Sequence, residues 1–162
     1  MKTKTTITEL THDDLVIFLS GAFYGNKYFS VDYEEAIEYN ESDCLEDIMA
    51  KILLHEGFIK VIDHRAEGDV YGRLNHEIDP EDEYESVTYF VGYDDIKRGL
   101  ERAADGLFNA GKNSEYTNWR DMALSFARRS FDAFVMCEDG NFDADAAECL
   151  LQIILFDEII YG

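Results

Sequence analysis

A chain of 162 residues is long enough for one domain with a real core and short for two. Its 14 Lys and Arg stand against 35 Asp and Glu, a net charge of −21, which repels nucleic-acid backbones and anionic membranes and argues against direct binding to either. The 10 Tyr, 11 Phe and 1 Trp are large side chains to bury, which sets the chain apart from disordered acidic proteins.

Residues 1–7 read as a polar tail or a short strand. The first helix is expected over 12–24: Thr11 can cap it, Asp13 and Asp14 suit its positive first turn, and Leu15, Phe18, Leu19, Ala22 and Phe23 form one apolar face. Gly25 and Asn26 stop it. Over 27–39, strand signals (Tyr28, Phe29, Val31, Tyr33) run into helix signals (Glu34, Glu35, Ala36, Ile37), which gives a short strand or loop and then a helical turn.

In the stretch 43–63 a helix start, face, stop and strand follow one another without conflict. Asp43 and Glu46 have capping-box spacing, and Leu45, Ile48, Met49, Ile52 and Leu53 make one stripe of a helix over 43–56. Gly57 is expected to end that helix in the left-handed conformation. Strands are expected over 58–63 and 69–74, joined as a hairpin through Gly68, and over 86–92, where Val87, Tyr89 and Val91 alternate with Thr88 and Phe90 and both faces are expected to be covered. Together they make a three-stranded antiparallel meander. The polar segment 75–85 between the last two holds the only Pro and reads as a solvated loop.

The remainder is helix-rich. Asp94 is placed to cap a helix over 94–105 that buries Ile96, Leu100, Ala103 and Ala104, and Gly99 inside it points to a close packing contact. Asn118 and Asp121 start the longest helix, 118–137, and no breaker follows until Gly140. The last helix, 145–157, carries apolar residues nearly all round, which argues burial or a partner, and it is the element through which an oligomer would form. The fold class is therefore α+β, one domain over 1–162 with about five helices packed on a small antiparallel sheet.

Motifs for chemistry are scarce. Asp139, Asn141, Asp143 and Asp145 match positions 1, 3, 5 and 7 of an EF-hand loop, but Ala144 replaces the required Gly and Leu150 stands where the bidentate Glu belongs. A helix-to-helix loop with an N-cap accounts for the same residues. His12, His55, His64 and His76 never fall three or four apart, so no helical metal pair is written. Asp63, His64, Arg65 and Glu67 suggest an acid-base cluster, against the plainer reading of a polar turn. Phosphate loop, GxSxG elbow and HExxH are all missing, so the chain reads as a non-enzyme with no cofactor, metal or catalytic residue. Cys44, Cys137 and Cys149 are odd in number and far apart, the pattern of reduced thiols. With no apolar leader at the N-terminus and no apolar run of the roughly 18 residues a bilayer needs, a cytoplasmic protein is expected.

The placement of the acids carries the functional expectation. No Lys or Arg occurs over 130–162, Lys51 is the only one over 28–59, and Asp79, Glu81, Asp82, Glu83 and Glu85 crowd one loop. Lys97, Arg98 and Arg102, and then Arg120, Arg128 and Arg129, are expected to pair with acids or to mark the opposite face. In composition and size the chain resembles the small acidic anti-restriction and anti-defence proteins of phages and mobile elements, a resemblance of class that no motif narrows to one family. It implies an interaction or inhibitor protein, a DNA mimic whose carboxylates, Asp79, Glu81, Asp82, Glu83 and Glu85 first, engage the basic groove of a nucleic-acid-binding protein. The alternative is a small protein-binding or regulatory domain whose charge serves solubility alone; an enzyme ranks third.

Overall fold

The computed structural model describes residues 4–23, 28–33, 43–64, 74–79, 81, 86–111, 115–136 and 142–160. In chain order they form α1 (His12–Phe23), β1 (Phe29–Asp32), α2 (Leu45–Leu54), β2 (Phe58–Asp63), β3 (His76–Ile78), β4 (Val87–Gly92), α3 (Tyr93–Asp105), α4 (Trp119–Met136) and α5 (Ala144–Phe156). The class is α+β with a four-stranded sheet, one strand more than expected.

The strand order is β1-β2-β4-β3, antiparallel throughout. All of β2 pairs with β4, from Phe58 opposite Gly92 to Asp63 opposite Val87, while its other edge takes β1. A hairpin between 58–63 and 69–74 is therefore corrected: β2 already has β1 and β4 as neighbours. Residues 69–73 lie outside the described ones, and Leu74 is buried. The segment expected to be all loop contains β3, which pairs with β4 and lies at the sheet edge. Its three residues are all exposed, so no buried alternation announces it in sequence. β1 sits where the short strand was expected; the helical turn at 34–37 lies outside the described residues.

One face of the sheet is buried. Ile59, Val61 and Asp63 of β2 lie beside Val91, Tyr89 and Val87 of β4, every one of them buried. On the other face Lys60, Ile62, Thr88 and Phe90 are half-buried and Phe58 is exposed, so the cover expected on both faces of β4 is full on one only.

The centre of the core is α5. From Cys149 to Phe156 every residue is buried, because α1, α3 and α4 all pack around the helix. Its last residue reaches the sheet, where the Phe156 ring lies 5.5 Å from that of Tyr89 and 6.1 Å from that of Phe29. Burial within the chain accounts for the all-round apolar pattern from Cys149 to Phe156. Gly99 of α3 makes the approach possible: a Cβ there would lie 2.3 Å from Ile154 Cγ1 and 2.7 Å from its Cα.

The start of α1 is where the sequence puts it, and the other helices start one or two residues away from expectation. At α1, Thr11 and Asp14 close a reciprocal box: the Asp14 N–H donates to Thr11 Oγ1 (3.2 Å) and the Thr11 N–H to Asp14 Oδ2 (2.9 Å). At α2 the N-cap is Cys44, not Asp43. Asp43 instead accepts from Lys51 Nζ at 2.8 Å and Glu46 is buried. At α3 the N-cap is Gly92, whose N–H donates to Asp95 Oδ2 at 2.9 Å, and Asp94 is exposed in the first turn. At α5 the N-cap is Asp143, with Oδ1 accepting the Ala146 N–H at 2.8 Å.

The left-handed residue after α2 is Glu56, with φ of 62°, rather than Gly57. The Gly57 N–H then reaches back to the Ile52 carbonyl at 2.9 Å, as in a Schellman ending. A side chain in that conformation is strained by about 1–2 kcal/mol and Gly is not, though Gly loses more entropy on folding. Glu56→Gly is therefore expected to stabilise the fold by about 0.5–1 kcal/mol, read as a higher urea midpoint; a lower midpoint would show that the Glu56 side chain makes a compensating contact.

Candidate interaction surface

The acid-rich segment 79–85 lies in sequence between β3 and β4, which pair at the sheet edge. Beyond Ile78 the ladder continues one step, with the Asp79 N–H donating to the Ser86 carbonyl at 3.0 Å. Asp79 Oδ1 accepts the Glu81 N–H at 3.0 Å, the side-chain-to-backbone bond of an Asx-type turn. Glu77, Asp79 and Glu81 are exposed. Among the described residues no Lys or Arg pairs with any of them. Asp82, Glu83 and Glu85, the other expected contact residues, lie outside the described ones.

Much of the positive charge is held elsewhere. Arg98 grips Asp157 through two bonds of 3.1 Å each, Arg102 Nε reaches the same carboxylate at 3.1 Å, and Lys51 is bound to Asp43. Arg128 meets Asp132 at 3.2 Å and donates to the Ala104 carbonyl at 3.1 Å. The Arg128, Arg129 and Lys60 cations lie over the rings of Phe131, Phe126 and Phe90. Pairing with acids, expected for the basic groups of 97–102 and 120–129, holds for Arg98, Arg102 and Arg128. These contacts turn cations onto the protein's own acids, carbonyls and rings. Exposed carboxylates such as Glu9, Asp13, Asp32, Glu56, Glu77, Asp79, Glu81, Asp143 and Asp145 consequently dominate the outer charge.

Two side-chain clusters could be mistaken for reaction centres. At the joined starts of α1 and α2, Asp47 lies between His12 and Cys44: Oδ1 is 3.0 Å from His12 Nε2, and Oδ2 accepts from Cys44 Sγ at 2.9 Å. The carboxylate is in the middle, where a cysteine hydrolase needs the imidazole. Its hydrogen bond holds the proton on sulfur and raises the Cys44 thiol above its ordinary value, the opposite of activation. The same bond from Cys44, and then that from His12, lowers Asp47. On the open face of the sheet, Ser30 Oγ and His64 Nε2 are 2.6 Å apart. Among the described residues no carboxylate takes the other ring nitrogen, so no orienting group completes a triad.

The acid-base cluster suggested at 63–67 does not assemble from its described members. Asp63 is buried on the inner face, whereas His64 is exposed and turned to Ser30. In the EF-hand-like stretch Asp143 has one carboxylate oxygen committed to capping α5, and residues 139–141 lie outside the described ones. Among the described residues no group of three His, Cys, Asp or Glu is arranged to hold a metal, every buried side-chain polar atom has a partner, and no helix is long and apolar enough to cross a membrane.

Sequence reasoning drew the cluster of acids from composition; of its five residues Asp79 and Glu81 are described, and both are exposed. It missed Ser30 with His64 and His12 with Asp47, 34 and 35 residues apart, because no local spacing signals them. Comparison with protein-family models, with curated proteins and with solved structures finds no match to this chain.

Proposed function

We propose that the chain is an acidic interaction protein, an inhibitor that presents ordered carboxylates to the basic groove of a nucleic-acid-binding protein in place of DNA. The observation that carries this reading is the β3–β4 edge, where Glu77, Asp79 and Glu81 stand exposed with no described cation paired to them while Arg98, Arg102 and Lys51 are bound to internal acids. Duplex DNA carries about one charge per 1.7 Å of axis, so the Lys and Arg residues of such a groove are the natural counterpart of a surface like this. The free thiols of Cys44 and Cys149 support a cytoplasmic setting.

The test is capture of partners from the host lysate, followed by competition with duplex DNA for the captured protein. Affinity is expected to fall about tenfold or more between 50 and 200 mM salt, because screened carboxylates lose their reach beyond ~8–10 Å. Reversing Asp79, Glu81, Asp82, Glu83 and Glu85 together to Lys should weaken binding by a similar factor while circular dichroism stays unchanged. Undiminished affinity in that folded variant removes the loop as the contact. Capture of no nucleic-acid-handling protein removes the mimicry and leaves the charge to solubility.

A further inference from the structure

Strand register lays out the face of the sheet turned away from the core in rows. Ser30, Ile62, Thr88 and Glu77 lie side by side across all four strands, and Asp32, Lys60 and Phe90 form the next row. Beyond them stands Phe58, opposite Gly92, which has no side chain, and its ring meets that of Phe90 edge-on at 5.4 Å. Ile62 and Phe90 are half-buried yet are not among the side chains packed against the core, and Phe58 is 45 % exposed. Together they make an apolar strip along β2 and β4. From Phe58 to Ile62 it runs ~13 Å, the rise of about nine residues of helix.

The rim of this strip is acidic. Asp32 on β1 and Glu77 on β3 are exposed at opposite edges of the sheet, and Glu56, also exposed, comes two residues before Phe58. Among the described residues Lys60 is the only Lys or Arg of the face. It stands opposite Asp32 and holds its cation 5.9 Å from the centre of the Phe90 ring, so its stem lies along the strip. Glu77 is two strand spacings from Ile62, ~10 Å, with only Thr88 between them. An apolar centre inside a charged rim is the anatomy of a protein–protein interface.

We infer that the open face of the sheet docks a basic amphipathic helix, with the apolar side of that helix on Phe58, Ile62 and Phe90 and its Lys and Arg residues at Glu77 and Asp32. A helix is ~10–12 Å wide with its side chains, enough to cover the strip and carry cations to both margins. A second copy of this chain is the poorer occupant, because at a net charge of −21 it brings more acids to an acidic rim. The inference rests on the proposed function only for the basic character of the partner. It adds an apolar anchor, which salt does not screen.

NMR titration of the full chain with two synthetic probes tests this: a helical Lys/Leu peptide with its Leu residues along one side, and the same peptide with every Leu replaced by Ala, equal in charge. At about 150 mM salt the Leu peptide should bind about tenfold or more tightly than its counterpart and shift the amide signals of Ile62, Thr88 and Phe90. In Phe58→Thr with Ile62→Thr, which keeps strand preference and removes apolar surface, the two peptides should bind alike. Glu77→Lys should weaken both by a similar factor. Equal affinity of the wild type for the two peptides, or a preference for Leu that survives the double substitution, overturns the inference. Should the double variant fail to fold, shifts in the wild type that spare Ile62, Thr88 and Phe90 overturn it alone. The same shifts on raising the protein concentration without peptide make the occupant a second copy and overturn it as well. Failure to capture a nucleic-acid-handling protein from the lysate is a separate result, which removes the DNA mimic and leaves this surface standing.

Discussion

Replacing Gly99 by Ala is expected to destabilise the protein by about 3 kcal/mol, the upper part of the range for overpacking a tight interior. The added methyl would sit 2.3 Å from Ile154 Cγ1, 2.7 Å from its Cα and 2.9 Å from its Cβ, where carbon atoms normally rest ~3.5–4.0 Å apart. One of these neighbours is backbone, so a rotamer change in Ile154 cannot clear the site and α3 must move away from α5. The intrinsic helix preference for Ala offsets only ~1 kcal/mol of this. For a chain of this size the melting temperature should fall by ~6–12 °C. Trimming the neighbour as well, in Gly99→Ala with Ile154→Ala, should show favourable coupling in a double-mutant cycle but incomplete rescue, because the clash with the backbone of residue 154 persists. Stability of Gly99→Ala at or above the wild type would mean that the two helices are further apart than their geometry states.

The second large effect is alkaline. Burial, with a further contribution from the Glu148 charge, pushes the Cys149 thiol from an ordinary value of 9.0 up to about 12. An unfolded chain releases this proton near 9 and the folded chain does not. The contribution of the neutral buried thiol is thus fully present below pH 9 and is lost as pH rises toward 12. At ~1.4 kcal/mol per tenfold change in acidity, the loss amounts to about 4 kcal/mol across that span. Tyr and Lys titrate in the same range, so the measurement is a difference: urea stability of wild type minus that of Cys149→Ala, followed from pH 8 to 11. The gap should move against the wild type as pH rises, whatever the starting cost of the smaller side chain. A gap that stays constant would show that Cys149 ionises freely in the folded state.

Apolar spacing made the helices legible. Leu15, Phe18, Leu19 and Ala22 mark the buried face of α1, and Ile96, Leu100, Ala103 and Ala104 that of α3. Gly99 announced a close approach, and the approach is there. Caps were less legible, because the same spacing of three can be read in two frames: Asp43 with Glu46 is as good in sequence as Cys44 with Asp47. The second pair frames the start of α2 because Cys44 is its N-cap, and the thiol donates to the carboxylate rather than receiving from an amide. Sheet order was legible least. An edge strand of three exposed residues, His76, Glu77 and Ile78, carries no alternation of burial, and the pairing of β2 with β4 leaps over it. Of the candidate surface, the clustering of acids was plain in the sequence, whereas the capture of Arg98 and Arg102 by a distant Asp157 was not, since it depends on how α3 lies against the end of α5.

The position of α5 has a consequence for the chain as it is made. The helix that fills the middle of the core is the last of the five to be synthesised, so α1, the sheet and α3 emerge with their apolar faces turned toward a space that nothing yet occupies. At ~5–20 residues per second the interval from the end of α3 to the end of α5 lasts about 3–10 s. Neighbouring nascent chains on one messenger carry the same open faces at the same time, the condition under which aggregation begins. Their acidic residues, already numerous in the part made first, give these chains like charge, which opposes such contact until Phe156 arrives to close the core against Tyr89 and Phe29.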